Sequence, residues 1–565
     1  MPGRSAADAP IPWCQKLSKS FIRDINKMSS QTLSETDMDE PVRKRIERPA
    51  YEYGLLFVIV ASVAIFYVLT LQPNIMWSGG TDTFNYILSG LKILDSWGYL
   101  ERVLSEAHLG MREDLEVVFP ALSSLQIALV YQLSNGNFWI SKLPGVVCFL
   151  AALPLIYRLS RNQVGLLCSV LIIITIGLSP YFFSFKEEIR SDLQFFFLLF
   201  LAMVLFMEMD QDGERRKIHF LIAMLCGVVC YLSIGYRSVG LALFPAIVAY
   251  DIWRHKKLRL VSLLTLAVGI GLYVLQSKLV PSGDGRYASS FPTDLSVYLE
   301  RVYTNVVQYH YNIQRFVENT VFSAFTWVAY LSLLGLVAIG YLSRLFGRAT
   351  ILEFFIVVYF AGLLISPTTS AWQRYLIPAY PLILYYAFAG INFCSTVLNL
   401  GERIRKFGVV ALSALIIANF GTQYLTRVPF HTLDEGPTST SALAMYDFLS
   451  TSVKPGEVVA TGFPAITGVV RLQTGLRAAN LLEVDADLSE QEFDRILWQH
   501  FRDRGVRTLV LRHSEPRMVA SYFGTRDIVD VNRLHIAFAE RHKESVSAVF
   551  RNADFVVYRI GSEPS

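Results

Sequence analysis

Four short stretches of this chain place ionisable side chains where they could do chemistry. The first is Trp77-Ser78-Gly79-Gly80-Thr81-Asp82-Thr83-Phe84-Asn85-Tyr86, where two glycines allow a tight turn ahead of a single carboxylate. The second runs from Ser179-Pro180 to Asp192 and gathers Lys186, Glu187, Glu188, Arg190 and Asp192 just before an apolar run. Glu188 and Asp192 are four apart, so on a helix they would share a face as like charges, a destabilising pair unless Arg190, Lys186 or a ligand compensates. The third is Gly235-Tyr236-Arg237-Ser238, a minimal turn between two apolar runs, and the fourth is Ala371-Trp372-Gln373-Arg374-Tyr375-Leu376-Ile377-Pro378. Guanidinium groups suit a phosphate, because arginine offers a two-pronged fork of donors. Carboxylates and arginines together fit removal of a group from a phosphate leaving group. One carboxylate would take a proton from an acceptor hydroxyl, and the arginines would hold the departing phosphate. Plainer readings stand beside this one. Asp82 could cap the amphipathic stretch that follows it, the second stretch could be a solvated loop, and the arginines could be surface anchors.

The rest of the chain must position these groups. Of its 565 residues 53% are hydrophobic and 17% charged, where a soluble chain is about a quarter charged. That composition points to a membrane protein and excludes a disordered, collagenous or disulfide-framework chain. A net charge of +4 is too mild for nucleic-acid binding. The six cysteines are scattered, mostly in apolar runs, and Cys226 and Cys230 have no His or acidic neighbour that would complete a metal site, so they read as buried thiols.

Charge density divides the chain into a polar tail (1–52, 17 charged residues), a membrane domain (53–429, 48 charged in 377) and a soluble C-terminal domain (430–565, 33 charged in 136). Arg43, Lys44, Arg45 and Arg48 precede the first apolar run and favour a cytoplasmic N-terminus. Twelve apolar runs follow, near 53–73, 116–133, 138–157, 163–181, 192–208, 218–235, 237–252, 260–280, 322–341, 351–366, 375–396 and 407–425. The connections Arg158/Arg161, Arg215–Lys217, Arg254–Arg259, Arg344/Arg348 and Arg403–Lys406 are basic and should face the cytoplasm, which puts the C-terminal domain outside. An internal start and an external end require an odd number of spans, so 11 or 13 are expected and something within 116–181 departs from simple crossing. The stretch with Ile87, Leu88, Leu91, Ile93 and Leu94 reads as an amphipathic helix suited to the membrane interface. The C-terminal domain reads as α/β, with strands at Val458–Thr461, Thr508–Leu511 and Phe555–Tyr558 and a helix over Glu490–Gly505. It carries no nucleophile, metal or phosphate-loop constellation, which favours a structural or acceptor-docking role.

At these residues the chain resembles the GT-C superfamily of integral-membrane glycosyltransferases, in the branch of protein O-mannosyltransferases and the aminoarabinose transferase of lipid A. The likeness rests on Asp82 after its Gly-rich turn, Phe119-Pro120-Ala121-Leu122 opening the next run, Asp192 in Arg-Ser-Asp-Leu after a Ser-Pro turn, and Arg374-Tyr375-Leu376-Ile377-Pro378. It departs from the lipid A branch in lacking a Lys before a Pro-Pro pair, and from the mannosyltransferases in having Thr83 after Asp82. Glu187 and Glu188 match no family pattern and are placed with the acceptor or donor site on proximity alone.

The resemblance implies a polytopic α-helical membrane fold with a soluble α/β domain. It also implies a polyprenyl-phosphate sugar donor, inversion at the anomeric carbon, and chemistry on the periplasmic or luminal face. Asp82 would be the base toward the acceptor, Asp192 with Arg190 would shape the site or hold the acceptor, and Arg374, Tyr375 and Arg237 would bind the lipid phosphate. The acceptor would be a lipid, a polysaccharide or a protein hydroxyl. Carboxylates could hold a divalent ion, but arginines can neutralise the phosphate instead, so no metal is required. The absence of any Asn-x-Ser/Thr sequence fits a bacterial protein in the inner membrane. The same arginines would serve a flippase for a polyprenyl-linked sugar, although such a protein would be expected to carry inverted repeats and ionisable groups at the bilayer midplane.

Overall fold

The computed structural model describes residues 49–75, 80–97, 120–210, 216–280, 294–317, 323–366, 372–427, 430, 434, 436–454, 456–462, 464–481, 489–513 and 528–561. The tail up to Arg48, the turn at Gly79 and Phe119 lie outside them.

Among the described residues eight helices are long and apolar enough to cross a membrane. In chain order the helical part runs α1 (Ala50–Leu69), α2 (Gly80–Ser96), α3 (Ala121–Leu133), α4 (Phe138–Val164), α5 (Leu166–Gly177), α6 (Pro180–Phe185), α7 (Asp192–Met209), α8 (Arg216–Tyr236) and α9 (Leu243–His255). It continues with α10 (Leu260–Leu279), α11 (Leu295–Gln314), α12 (Ser323–Arg348), α13 (Ile351–Ile365), α14 (Trp372–Leu376), α15 (Tyr380–Val397) and α16 (Glu402–Arg427). The most buried spans are α7 and α15. Phe149, Phe182 and Phe196 pack ring against ring beside them, so aromatic volume fills the centre of the bundle.

The charged motifs sit at helix ends because the middles are too apolar to carry them. Asp192 opens α7, Arg237 follows α8, and Arg374 lies in the short α14 that leads into α15. The basic connections gather at the other end. There Arg161 of α4 donates to Glu52 at the start of α1 at 2.6 Å. At that end too Arg344 of α12 donates to Gln163, and Arg259 donates to Asp210, while Arg237 and Arg374 meet Asp192 at the opposite end, so most of the apolar runs pass from one end to the other. The run at 116–133 differs from them. Its described part, α3, is only 13 residues long, and it buries Ile127, Ala128 and Tyr131 in a core shared with the C-terminal domain. The start of α1, at Glu52 beside Arg161, and the end of α16, where Tyr424 packs on Phe66 and Phe183, lie at opposite ends of the bundle.

The C-terminal domain begins with α17 (Thr440–Ser452) and continues through β1 (Val458–Thr461), α18 (Pro464–Thr474), β2 (Arg477–Asn480), α19 (Glu490–Arg504), β3 (Val506–Arg512), α20 (Ile528–Arg541), β4 (Val546–Arg551) and β5 (Phe555–Ile560). The strand order is β2-β1-β3-β5-β4, with β2, β1 and β3 parallel and the other two pairs antiparallel. Gly505 ends α19 in the left-handed conformation at φ 64°, as its place after the helix predicts. Alternate residues face opposite ways. Ala460, Leu509, Leu511 and Val556 face α19 and α20. Val459, Val510, Phe555 and Val557 face α17, α18 and, from the membrane part, α2. The apolar stripe of α2 is therefore covered by protein rather than lying in the membrane interface, with Ile87 and Leu91 fully buried.

Candidate functional site

Three carboxylates and three guanidinium groups meet at the end of the bundle beneath the C-terminal domain. At the centre, Arg374 Nε lies 2.9 Å and 2.8 Å from the two carboxylate oxygens of Asp192. Its Nη1 donates to Asp82, so one guanidinium bridges carboxylates from α2 and α7. Arg237 donates to the same Asp192 and lies 4.8 Å over the ring of Tyr375, where the ring face favours a cation. Arg190 Nε lies 2.7 Å from Glu188 and 3.9 Å from Asp82.

The cluster has two layers. The side chains of Asp192 and Arg374 are 3% and 9% exposed, while those of Glu188 and Asp82 are 17% and 25% exposed. The Asp192–Arg374 pair is therefore the more enclosed part of the cluster, and the outer carboxylates can be reached. Burial pushes Asp82 up, but Arg374 and Arg190 outweigh it and hold its carboxyl down at about 2. Glu188 is different. Burial dominates there, Arg190 and Arg374 offset only part of it, and its carboxyl is raised to about 7.

Local structure explains the convergence. Asp82 lies in the first turn of α2, where the helix dipole favours a carboxylate, and points at Arg374. Asp82 and Tyr86 are four apart and face the site together. The Tyr86 hydroxyl lies 2.7 Å from Ser191 Oγ, and Thr83 donates to the Ile189 carbonyl at 3.1 Å. These bonds tie α2 to the loop that carries Glu188, Arg190 and Asp192. The Tyr359 hydroxyl donates to the Tyr375 carbonyl at 2.7 Å and holds α14 in place.

One sequence-predicted residue lies elsewhere. Glu187 points away from this cluster and pairs with Lys142 at 2.8 Å and with Lys186. Lys142 also donates to the carbonyls of Gln72 and Asn74 at 2.9 Å and 2.8 Å, and Lys186 to that of Thr70 at 2.7 Å. Burial brings the Lys186 ammonium down to about 8 even with Glu187 beside it. Sequence reasoning did not single out Tyr86, Ser191 or Lys142. The available signal for Lys142 was a lone cation inside an apolar run.

Among the described residues no three His, Cys, Asp or Glu side chains are placed to hold a metal ion. Asp82 and Asp192 already share the Arg374 cation.

No protein-family model matches the chain, and no curated protein matches it in sequence. Solved structures do. ArnT from Cupriavidus metallidurans bound to undecaprenyl phosphate matches over 90% of this chain and 99% of that one, at 13% identity and a TM-score of 0.50. The archaeal oligosaccharyltransferase AglB from Archaeoglobus fulgidus, in complex with an inhibitory peptide and a dolichol-phosphate, matches over 81% and 69%, at 8% identity and a TM-score of 0.54. Both are GT-C glycosyltransferases, and the likeness shows that this chain has the GT-C fold.

Proposed function

We propose that the chain is an inverting glycosyltransferase that moves a sugar from a polyprenyl-phosphate donor to an acceptor hydroxyl at the external face of a bacterial inner membrane. The observation that carries this reading is Arg374 shared between Asp82 and Asp192, with Arg237 beside it. Lipid phosphates bound in the similar structures agree with it. The start of α1 and the end of α16 at opposite ends of the bundle fit a cytoplasmic tail and an external C-terminal domain.

In the reaction the acceptor oxygen attacks the anomeric carbon from the side opposite the phosphate. The carbon–oxygen bond to phosphate breaks, its electron pair leaves with the phosphate, and the acceptor proton goes to Asp82. As it stands, Arg374 holds Asp82 too acidic to take that proton. An arriving phosphate competes for the same guanidinium. As Arg374 and Arg237 turn to it, Asp82 loses its strongest partner and becomes a better base. Asp192 keeps both arginines oriented, Tyr375 supports Arg237, and Arg190 with Glu188 lines the outer, acceptor side. The three guanidinium groups supply the positive charge, so no metal is required. The acceptor hydroxyl belongs to a lipid, a polysaccharide or a protein. The charges gather at one end of the bundle rather than at its middle, which favours transfer over transport.

The test is transfer by purified protein in detergent, with radiolabelled polyprenyl-phosphate sugars and a membrane extract as acceptor. Label should move to an acceptor, with the anomeric configuration inverted relative to the donor. Intact donor bound without any product, together with counterflow of labelled lipid in proteoliposomes, would replace this reading with a flippase.

A further inference from the structure

The helix that carries Asp82 belongs to two structures at once. On one side Asp82, Thr83 and Tyr86 meet Arg374, the Ile189 carbonyl and Ser191. On the other side Phe84, Leu88 and Leu91 lie in one apolar core with Met445, Ile466, Val469 and Val557 of the C-terminal domain. The contact there is unusually close. A Cβ at Gly468 of α18 would lie 2.6 Å from the Phe84 Cβ, nearer than real side chains approach. Only glycine lets the α18 backbone come this near.

The same domain also grips the chain just ahead of α2. Gly436 has φ +105°, and a Cβ there would land on the Ile75 carbonyl oxygen. Thr438 donates to the Asn74 side chain. The two clamps, at 74–75 and at 84, bracket Asp82 in sequence.

We propose that the C-terminal α/β domain is a working part of the active site, which sets the position of α2, and that Gly468 is a positioning residue for Asp82. The role given to Asp82 rests on the glycosyltransferase reading; the positioning itself does not. A group added at 468 pushes Phe84, and with it α2, toward the loop at 186–192, which changes the distance from Asp82 to Arg374. Small displacements of a reacting group cost rate far more than binding.

The experiment compares Gly468→Ala with Leu509→Ala in the full-length protein. Leu509 lies in the core on the other face of the sheet and serves as a control for domain stability. Three quantities are read: the thermal midpoint, kcat with donor KM, and hydrogen exchange of the amides of residues 80–96. Gly468→Ala should lower kcat about tenfold or more, leave donor KM within about threefold, and speed exchange in α2. Leu509→Ala should lower the thermal midpoint while kcat and α2 exchange stay close to wild type. If Gly468→Ala does not fold, Thr438→Val removes the hydroxyl at the other clamp with little change of shape, and a fall in kcat of about threefold is expected. The proposal is overturned if the position-468 variant, or Thr438→Val in its place, keeps wild-type kcat and α2 exchange, or if both core variants lose activity in proportion to their loss of thermal stability. Wild-type protein that transfers nothing would overturn the glycosyltransferase reading instead, and the exchange measurement would still decide the positioning.

Discussion

Two charged groups grow from the same seven residues, Lys186 to Asp192, and they do different work. Glu187 turns inward to Lys142 and Lys186, which also donate to the carbonyls of Thr70, Gln72 and Asn74. Among the groups just named, the cations outnumber the carboxylates, both ammonium groups donate to backbone carbonyls, and the side chains are nearly sealed from solvent. Its effect is to hold the chain after α1 against the start of α7. Glu188, the next residue, turns to Arg190 and joins the cluster in which carboxylates and guanidinium groups balance and the outer members can be reached. The lesson is that charge at a helix end does not by itself mark chemistry. A group closed on backbone carbonyls is architecture, whereas a group held mainly by exchangeable ion pairs can open for a ligand.

The contrast can be broken from the reactive side first. Arg374→Lys keeps a positive charge but loses the fork that spans Asp82 and Asp192. Transfer measured as kcat/KM for the donor should fall about a hundredfold, corresponding to the loss of charge-assisted hydrogen bonds of about 3 kcal/mol. An unchanged kcat/KM would remove Arg374 from the donor site.

A smaller effect should come from Glu188. Its carboxyl titrates near 7 among Arg190, Arg374, Asp192 and Asp82, with Lys142 behind it. Below pH 7 it is protonated and the six-residue cluster carries one net positive charge; above pH 7 it is ionised and the cluster is neutral. The donor phosphodiester stays singly negative through this range. Donor binding should therefore weaken severalfold as pH rises from about 6 to about 8. Glu188→Gln should abolish that step and keep the tighter low-pH affinity at both ends, as read by donor KM against pH. A wild-type donor KM that is flat across this range would contradict the assignment.

The smallest effect on activity is expected from the sealed group. Lys142→Met leaves Glu187 paired with Lys186 but strips the carbonyls of Gln72 and Asn74 of their donor, a cost of about 1–3 kcal/mol. The thermal midpoint should fall by several degrees, while kcat at a permissive temperature stays within about threefold. A large loss of kcat without loss of stability would move Lys142 into the reactive cluster.

Much of this site was legible in the sequence because apolar helices leave few places for charge. Asp82, Asp192, Arg237 and Arg374 stand out at the ends of apolar runs, and alternation of basic connections puts them at one end of the bundle. The division between Glu187 and Glu188 was not legible, since the loop at 186–191 has no period from which side-chain direction can be read. The stripe on α2 showed that one face is buried, but the partner that buries it lies some 360 residues further along the chain, and a stripe does not name its partner. Strands β1, β3 and β5 announced themselves by runs of Val and Leu. Strand β2, Arg477-Ala478-Ala479-Asn480, has no β-branched residue and is held by pairing with β1. The run at 116–133 reads as a span from its composition, but its described part, α3, is 13 residues long and packs on α2 and the C-terminal core as well as on α4 and α8.

The most direct test of the central claim is single-turnover transfer by Asp82→Asn with donor already bound. The account predicts a fall in rate of about a thousandfold, with donor affinity within a few-fold of wild type. Transfer at the wild-type rate would show that Asp82 does not take the acceptor proton, and would contradict the role given to the whole outer layer of the cluster.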